Sequence, residues 1–343
     1  MKHEPPEALF YQREPDAEAV RCLLCAQRCR IQPGQRGVCK VRENQGGTLR
    51  AMAYGLLAAM SVDPIEKKPL CHFQPRSRSL SIASAGCNLA CPWCQNHHLS
   101  DAIRRHGEIE GDFVAPEQVV EAALARSCAS ISYTYSEPTI HYEHSREVGI
   151  RARAAGLRNV FVTNGLMTVE AVHDAARGFL DAANVDLKAM REETYRRQCQ
   201  GPLAGVLDCI RAMHAEGVWL EVTTLVIPGL NDGAEELRDA ARFLRSLGPD
   251  VPWHLSRYHP AHRWNDAPST SVDTLRRARE IGLGEGLRYV YTGNVWGDDG
   301  EHTYCPGCGR VAIRRHGFVA EPEGMRDGRC THCQTVIAGV EMP

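Results

Sequence analysis

From about Arg78 to Val295, short apolar runs alternate with amphipathic stretches. The runs are Leu80-Ser81-Ile82-Ala83, Ala129 to Tyr135, Asn159 to Thr163, Asn184 to Leu187, Trp219 to Ile227, Pro252 to Ser256 and Arg288 to Tyr291. Their brevity and their β-branched and aromatic content predict strands. Between them, Pro116 to Arg126, Ser145 to Ala155, Thr168 to Arg177, Ala204 to Ala215, Ala234 to Leu247 and Val272 to Ile281 predict helices. Leu237, Ala240, Phe243 and Leu244 recur at the spacing of one buried helix face. Pro116 marks a helix start, and Gly156, Gly217 and Gly248 mark ends. Strands alternating with helices predict a parallel sheet, hence an α/β fold that is curved or closed into a barrel. Such a barrel gathers its chemistry at the C-terminal strand ends. The unusual polar residues fall there: Cys87 to Cys94, Glu137, Thr163-Asn164, Asp186 to Lys188, Asn231-Asp232, His259 and Asn294.

Composition removes several function classes. The 343 residues carry a net charge of -2, so bulk electrostatics gives no argument for nucleic acid or an anionic membrane. No apolar stretch is long enough to span a bilayer, and no apolar signal core follows the N-terminus, so a cytoplasmic protein is expected. The 15 cysteines fall mostly into three tight groups, which in a reducing compartment reads as metal or cluster binding. Cys71, Cys128, Cys199 and Cys209 lie outside the groups and are expected to be packing residues. The expected organisation is an N-terminal four-cysteine segment over 1–72, a core domain over 73–300, and a zinc-ribbon-like segment over 301–343.

The central group is Cys87-Asn88-Leu89-Ala90-Cys91-Pro92-Trp93-Cys94. Three thiolates at this spacing suit a [4Fe-4S] cluster with one iron left free of protein, since closed sites use four. A zinc site borrowing a distant ligand and three unrelated buried thiols are the alternatives. The run resembles the cluster loop of radical S-adenosylmethionine (radical SAM) enzymes. That resemblance implies a partial (β/α)6-type barrel, a [4Fe-4S] cluster and S-adenosylmethionine, with metal ligands Cys87, Cys91 and Cys94. It also implies reductive cleavage of the sulfonium to a 5′-deoxyadenosyl radical that takes a hydrogen atom from substrate.

Within the resemblance, Tyr133-Thr134-Tyr135-Ser136-Glu137-Pro138 stands where many members carry Gly-Gly-Glu-Pro at the methionine ammonium. Tyr135-Ser136 replaces the glycines, and Ser136 and Glu137 become the expected contacts. Thr163, Asn164, Asp186 and Lys188 look like the cofactor-lining strand ends of the pyruvate formate-lyase activating enzyme group. Asp186 is the candidate for the ribose hydroxyls, and Lys188 for the methionine carboxylate or the substrate; a structural ion pair is the alternative. The turn Ile227 to Asp232 is expected to shape the adenine pocket. Lys188 and His259 are the candidate catalytic residues. His254, Arg257, Tyr258, His259, His262, Arg263 and Trp264 follow the sixth strand, as a grip for an anionic or peptidic substrate or as a solvated loop.

More narrowly, the chain resembles the radical SAM component of the AmmeMemoRadiSam system. The residues are Cys22, Cys25, Cys29, Ile31, Gly34, Gly37, Cys39, Val41-Arg42 and Asn44; Lys68-Pro69-Leu70 and His72-Phe73; Trp253 to Pro260; and Tyr291, Gly293-Asn294-Val295. Memo-like and Ammecr1-like proteins are the partners this implies, besides an electron donor such as flavodoxin or ferredoxin. Cys22, Cys25, Cys29 and Cys39 fit either a closed zinc site or a second, electron-relaying cluster. Cys305, Cys308, Cys330 and Cys333, two paired knuckles, look like a zinc ribbon with His332 a bystander. The competing function is a zinc-ribbon module that binds protein or nucleic acid beside an inert barrel; the lack of a basic patch counts against nucleic acid. Transfer of another S-adenosylmethionine-derived group is a third reading.

Overall fold

The computed structural model describes residues 4–15 and 18–343. Its centre is one eight-stranded sheet whose strands are neighbours in chain order. They are β1 (Ala59–Pro64), β2 (Arg78–Ala83), β3 (Ser130–Tyr133), β4 (Arg158–Thr163), β5 (Ala182–Asp186), β6 (Trp219–Val226), β7 (Trp253–Arg257) and β8 (Val290–Gly293). Strands β2 to β8 are parallel, and β1 pairs antiparallel with β2 from Ala59↔Ala83 to Pro64↔Arg78. The crossover helices are α1 (Pro116–Ala125), α2 (Tyr142–Ala154), α3 (Val169–Gly178), α4 (Leu203–Ala215), α5 (Ala234–Leu247) and α6 (Val272–Gly284). Apolar β4 and β5 are buried by helices on one side and by the lining of the interior on the other, as parallel strands require. Among the described residues β1 and β8 do not pair, so this α/β fold is a partial barrel with an open side.

Every expected strand and helix is present. Strand β1 was not expected, because its half-exposed residues carry no buried-strand signal; it lies in the stretch read as the N-terminal segment, yet it forms the edge of the main sheet. Strand β7 runs on to Arg257, so His254 and Arg257 stand within the strand and do not follow it.

Residues 65–74 and the C-terminal segment pack against the N-terminal ends of β4 to β6 and against β8. The backbone N–H groups of Cys71 and His72 donate to Glu221 at 2.9 and 2.8 Å, and the His72 ring meets the Tyr291 hydroxyl and the Ala338 carbonyl at 2.6 Å each. Phe73 bridges Val340, and Arg315 donates to the Cys71 carbonyl at 2.9 Å. The C-terminal segment has its own small sheet, Thr303–Tyr304, Val311–His316 and Val319–Glu321. The N-terminal segment docks after β4, where Ala26 N–H donates to Leu166 O at 2.9 Å, and its buried Arg42 pairs with Glu143 at the start of α2.

Candidate active site

The loop after β2 carries Cys87, Cys91 and Cys94, and it is pinned from several sides. Gly86 precedes it at φ 110°, a backbone conformation that favours glycine, and a Cβ there would stand 3.1 Å from Ile103. Arg104 donates to the carbonyls of Cys87 and Leu89 at 3.0 Å each, and Ala90 N–H donates to Cys199 O at 2.9 Å. Trp93 is buried edge-to-face against Trp264, with ring centroids 5.7 Å apart.

All three thiols face a cavity of about 830 Å³ at the C-terminal ends of the strands. Each has a polar neighbour: Cys87 accepts from Leu89 N–H at 3.4 Å and Asn164 Nδ2 at 3.5 Å, Cys94 meets Ser100 Oγ at 3.2 Å, and Cys91 meets the Cys199 thiol. Cys199 is thus more than the packing residue expected. Burial pushes the Cys87 and Cys94 thiols up, and contact with Cys199 followed by burial does so for Cys91. Thiols so disposed ionise when a metal supplies positive charge. They stand too far apart for a single ion, since no three of them gather within 4.8 Å. Separate irons of one cluster are what such a set can hold.

The loop after β3 departs from expectation in detail. Tyr135 adopts φ 64°, where glycine would be unstrained, and its hydroxyl bonds the Asp63 carboxylate. Ser136 Oγ donates to Ser84 O at 2.6 Å. Glu137 is buried at the cavity wall and already accepts from Thr139 N–H (3.1 Å), Thr139 Oγ1 (2.5 Å), Thr163 Oγ1 (2.8 Å) and Asn164 N–H (2.8 Å). It therefore ties the loops after β3 and β4 together. Asn164 in turn donates to Asn88 Oδ1 at 2.7 Å. Gly165 closes this turn at φ 72°, where a Cβ would meet Val185 at 2.7 Å.

Asp186 and Lys188 both line the cavity and pair at 2.9 Å. Burial opposes the Lys188 charge, but Asp186, with the Cys91 and Cys199 sulfurs, outweighs it and holds the ammonium well above its usual range. His259, His262 and Arg263 also line the cavity, and His259 is exposed and meets Ser269 Oγ at 3.1 Å. Tyr258 is buried with its hydroxyl on the Trp264 carbonyl, and Arg257 donates to Thr270 O, so these two hold the loop. His254 lies deeper, 2.7 Å from Glu221. The turn after β6 is fastened by Asn231, which donates to the carbonyls of Lys188 and Leu225 at 2.8 Å each.

Two constellations escaped the sequence reading. Buried Lys68 lines the cavity and pairs with Asp63 at 2.7 Å; Lys67, Ser81 and Tyr135 also bond Asp63. Burial alone would raise the Asp63 carboxyl, but these four donors outweigh it and hold it far below the usual carboxylate range. Cys71, Glu221 and His254 also gather within 4.8 Å. Glu221, however, spends its two oxygens on the N–H groups of Cys71, His72, Trp219 and His254, so it is a structural hub with no free lone pair for an ion. The lysine before a proline was visible in sequence, but its acidic partner on an edge strand was not.

At the C-terminus Cys305, Cys308, Cys330 and Cys333 come together within 4.8 Å, with Cys305–Cys333 at 3.5 Å and Cys308–Cys330 at 3.7 Å. No helix among the described residues is long and apolar enough to cross a membrane.

Comparison with known proteins agrees with this geometry. The pattern of the Radical SAM superfamily matches residues 81–244, from β2 through α5. An uncharacterized protein of Methanocaldococcus jannaschii, MJ0808, is 41% identical over 92% of this chain and 93% of its own length. The isethionate sulfite-lyase activating enzyme of Desulfovibrio desulfuricans is 29% identical over 43% of this chain and 48% of its own. Among solved structures, a radical SAM methyltransferase from Sphaerobacter thermophilus shares the fold with a TM-score of 0.51, at 19% identity over 64% of this chain and 67% of its own. Three cysteines on the loop after the first parallel strand, at the mouth of a partial barrel, and these matches lead to one assignment: the chain belongs to the radical SAM superfamily, a family that implies a [4Fe-4S] cluster and S-adenosylmethionine.

Proposed function

We propose that the protein is a radical SAM enzyme of the activating-enzyme type, which removes a hydrogen atom from a substrate bound in the cavity. The observation that carries this reading is the cavity itself: three thiols of the cluster loop line one wall, and the ends of the parallel strands line the rest. A cluster and S-adenosylmethionine held there would supply a 5′-deoxyadenosyl radical by one-electron reductive cleavage, which implies a low-potential donor of the flavodoxin or ferredoxin class.

The chain's own residues bind, orient and exclude. Cys87, Cys91 and Cys94 hold the cluster. Lys188 and Asp186, paired at 2.9 Å, offer a cation for the methionine carboxylate and an acceptor for the ribose hydroxyls. Glu137, whose oxygens are occupied, positions Thr163 and Asn164, and the carbonyl edge near Ser136 takes the methionine ammonium. His259 at the rim is the candidate for proton handling. Lys68, on the same cavity, is a further cation for the substrate. The likeness to an isethionate sulfite-lyase activating enzyme supports a protein substrate. The motif resemblance supports membership of the AmmeMemoRadiSam system with Memo-like and Ammecr1-like partners, and the close thiol spacing at the C-terminus supports zinc there.

The test is anaerobic reconstitution with iron and sulfide, then dithionite and S-adenosylmethionine, with 5′-deoxyadenosine as the readout. Wild-type protein should form it, and Cys94→Ala should fall to background. A loaded cluster that yields another fragment of the cofactor would overturn the hydrogen-abstraction reading.

A further inference from the structure

Cys22, Cys25, Cys29 and Cys39 surround a second, much smaller cavity of about 20 Å³, separate from the active-site cavity. That exceeds the roughly 10–15 Å³ needed for one water. Arg42 and Asn88 also line it, only 2% and 1% exposed. Arg42 Nη1 points at Cys22 Sγ, 3.8 Å away. Two further donors, Arg42 Nε and Asn88 Nδ2, are buried without an acceptor. A buried donor left unpaired costs about 1–3 kcal/mol, so acceptors belong in this space. Thiolate and sulfide sulfur can supply them.

Sulfur spacing distinguishes the two metals that four thiolates serve. Zinc holds thiolates at about 2.3 Å, which puts them roughly 3.8 Å from one another. The C-terminal four stand that way, at 3.5 and 3.7 Å in two pairs and all within 4.8 Å. A cubane gives each thiolate its own iron, and the thiolates then stand roughly 6 Å apart. Cys87, Cys91 and Cys94, on the loop that the superfamily uses for its cluster, are not gathered within 4.8 Å, and neither are any three of the N-terminal four. One chain thus carries one set gathered closely enough for a single ion and two sets, the N-terminal one and the cluster loop's, that are not.

We propose that Cys22, Cys25, Cys29 and Cys39 bind a second [4Fe-4S] cluster, with Arg42 and Asn88 as hydrogen-bond donors to its sulfurs. Four thiolates occupy all four irons, so this centre carries electrons and does not bind S-adenosylmethionine. It abuts the first: Gln27 donates to Asn88 O at 2.9 Å, and Asn88 directly follows Cys87.

The test uses the full chain with Cys87, Cys91 and Cys94 all replaced by alanine, reconstituted anaerobically with iron and sulfide in the presence of zinc. The expected result is about four iron and about four sulfide per chain, with a reduced-cluster EPR signal on adding dithionite. Adding Cys25→Ser should bring iron to background. Zinc in its place, about two per chain with no iron, would overturn the proposal. Should the triple variant fail to fold, wild-type protein decides: about eight iron per chain supports it, and about four iron with about two zinc overturns it. Neither arm depends on cleavage of S-adenosylmethionine, so this proposal and the proposed function can fail separately.

Discussion

Lys68 shows what a single side chain contributes at this site. It is 1% exposed, yet its ammonium sits 2.7 Å from Asp63 and 4.6 Å from the centre of the Tyr135 ring. Burial pulls its pKa down, and only Asp63 opposes that shift. Lys68→Met should therefore leave a buried carboxylate short of its best partner. Breaking such a pair costs about 3–5 kcal/mol, and the surviving bonds from Lys67, Ser81 and Tyr135 place the expected loss at the lower end. Urea denaturation measures it, and Asp63→Asn added to Lys68→Met should recover part of the loss. Glu137 shows the opposite limit: a motif residue legible in the sequence whose work, joining two loops, is legible only from its four hydrogen bonds.

Among the elements, the strands and helices of the barrel could be read because apolar periodicity survives wherever an element is buried on a regular face. Strand β1 could not, since its outer residues face solvent and its partner β2 lies beyond an irregular connection. Packing between elements was equally silent. Gly149 in α2 rests on Phe179, and an added Cβ would stand 2.3 Å from that ring. Helix propensity favours alanine over glycine by about 1 kcal/mol, whereas overpacking a core costs about 1–3 kcal/mol. Overpacking should win, so Gly149→Ala is expected to lower the unfolding midpoint, as thermal denaturation followed by circular dichroism would show. A raised midpoint would mean that Phe179 moves aside at little cost.

At the scale of the whole molecule, residues 71–72 tie β6, β8 and the C-terminal segment together. His72 bonds Tyr291 of β8 and the Ala338 carbonyl of the C-terminal segment, and Glu221 of β6 receives the adjoining backbone. Burial pushes the His72 imidazole down to about 4. A histidine lowered in the folded state binds its proton more readily when unfolded, so its contribution is present at neutral pH and is lost as pH falls from about 6.5 toward about 4. By linkage this shift is worth about 2 kcal/mol at pH 5. The urea midpoint of wild type should drop between pH 7 and pH 5, and His72→Gln should flatten that dependence. An unchanged slope would assign the pH response elsewhere, His141 (pushed by burial down to about 3) being the next candidate.

The sequence alone determined the α/β barrel, the parallel course of its strands and the three-cysteine loop. These depend on local periodicity and on ligand spacing within a few residues, both of which are properties of contiguous chain. Tertiary structure decided which partners those residues meet: Asp63 on Lys68, Cys199 beside Cys91, and Glu221 under the backbone of Cys71 and His72. It also decided that only the C-terminal four cysteines gather within 4.8 Å, because sulfur-to-sulfur distance is fixed by how distant segments pack and not by the number of residues between cysteines.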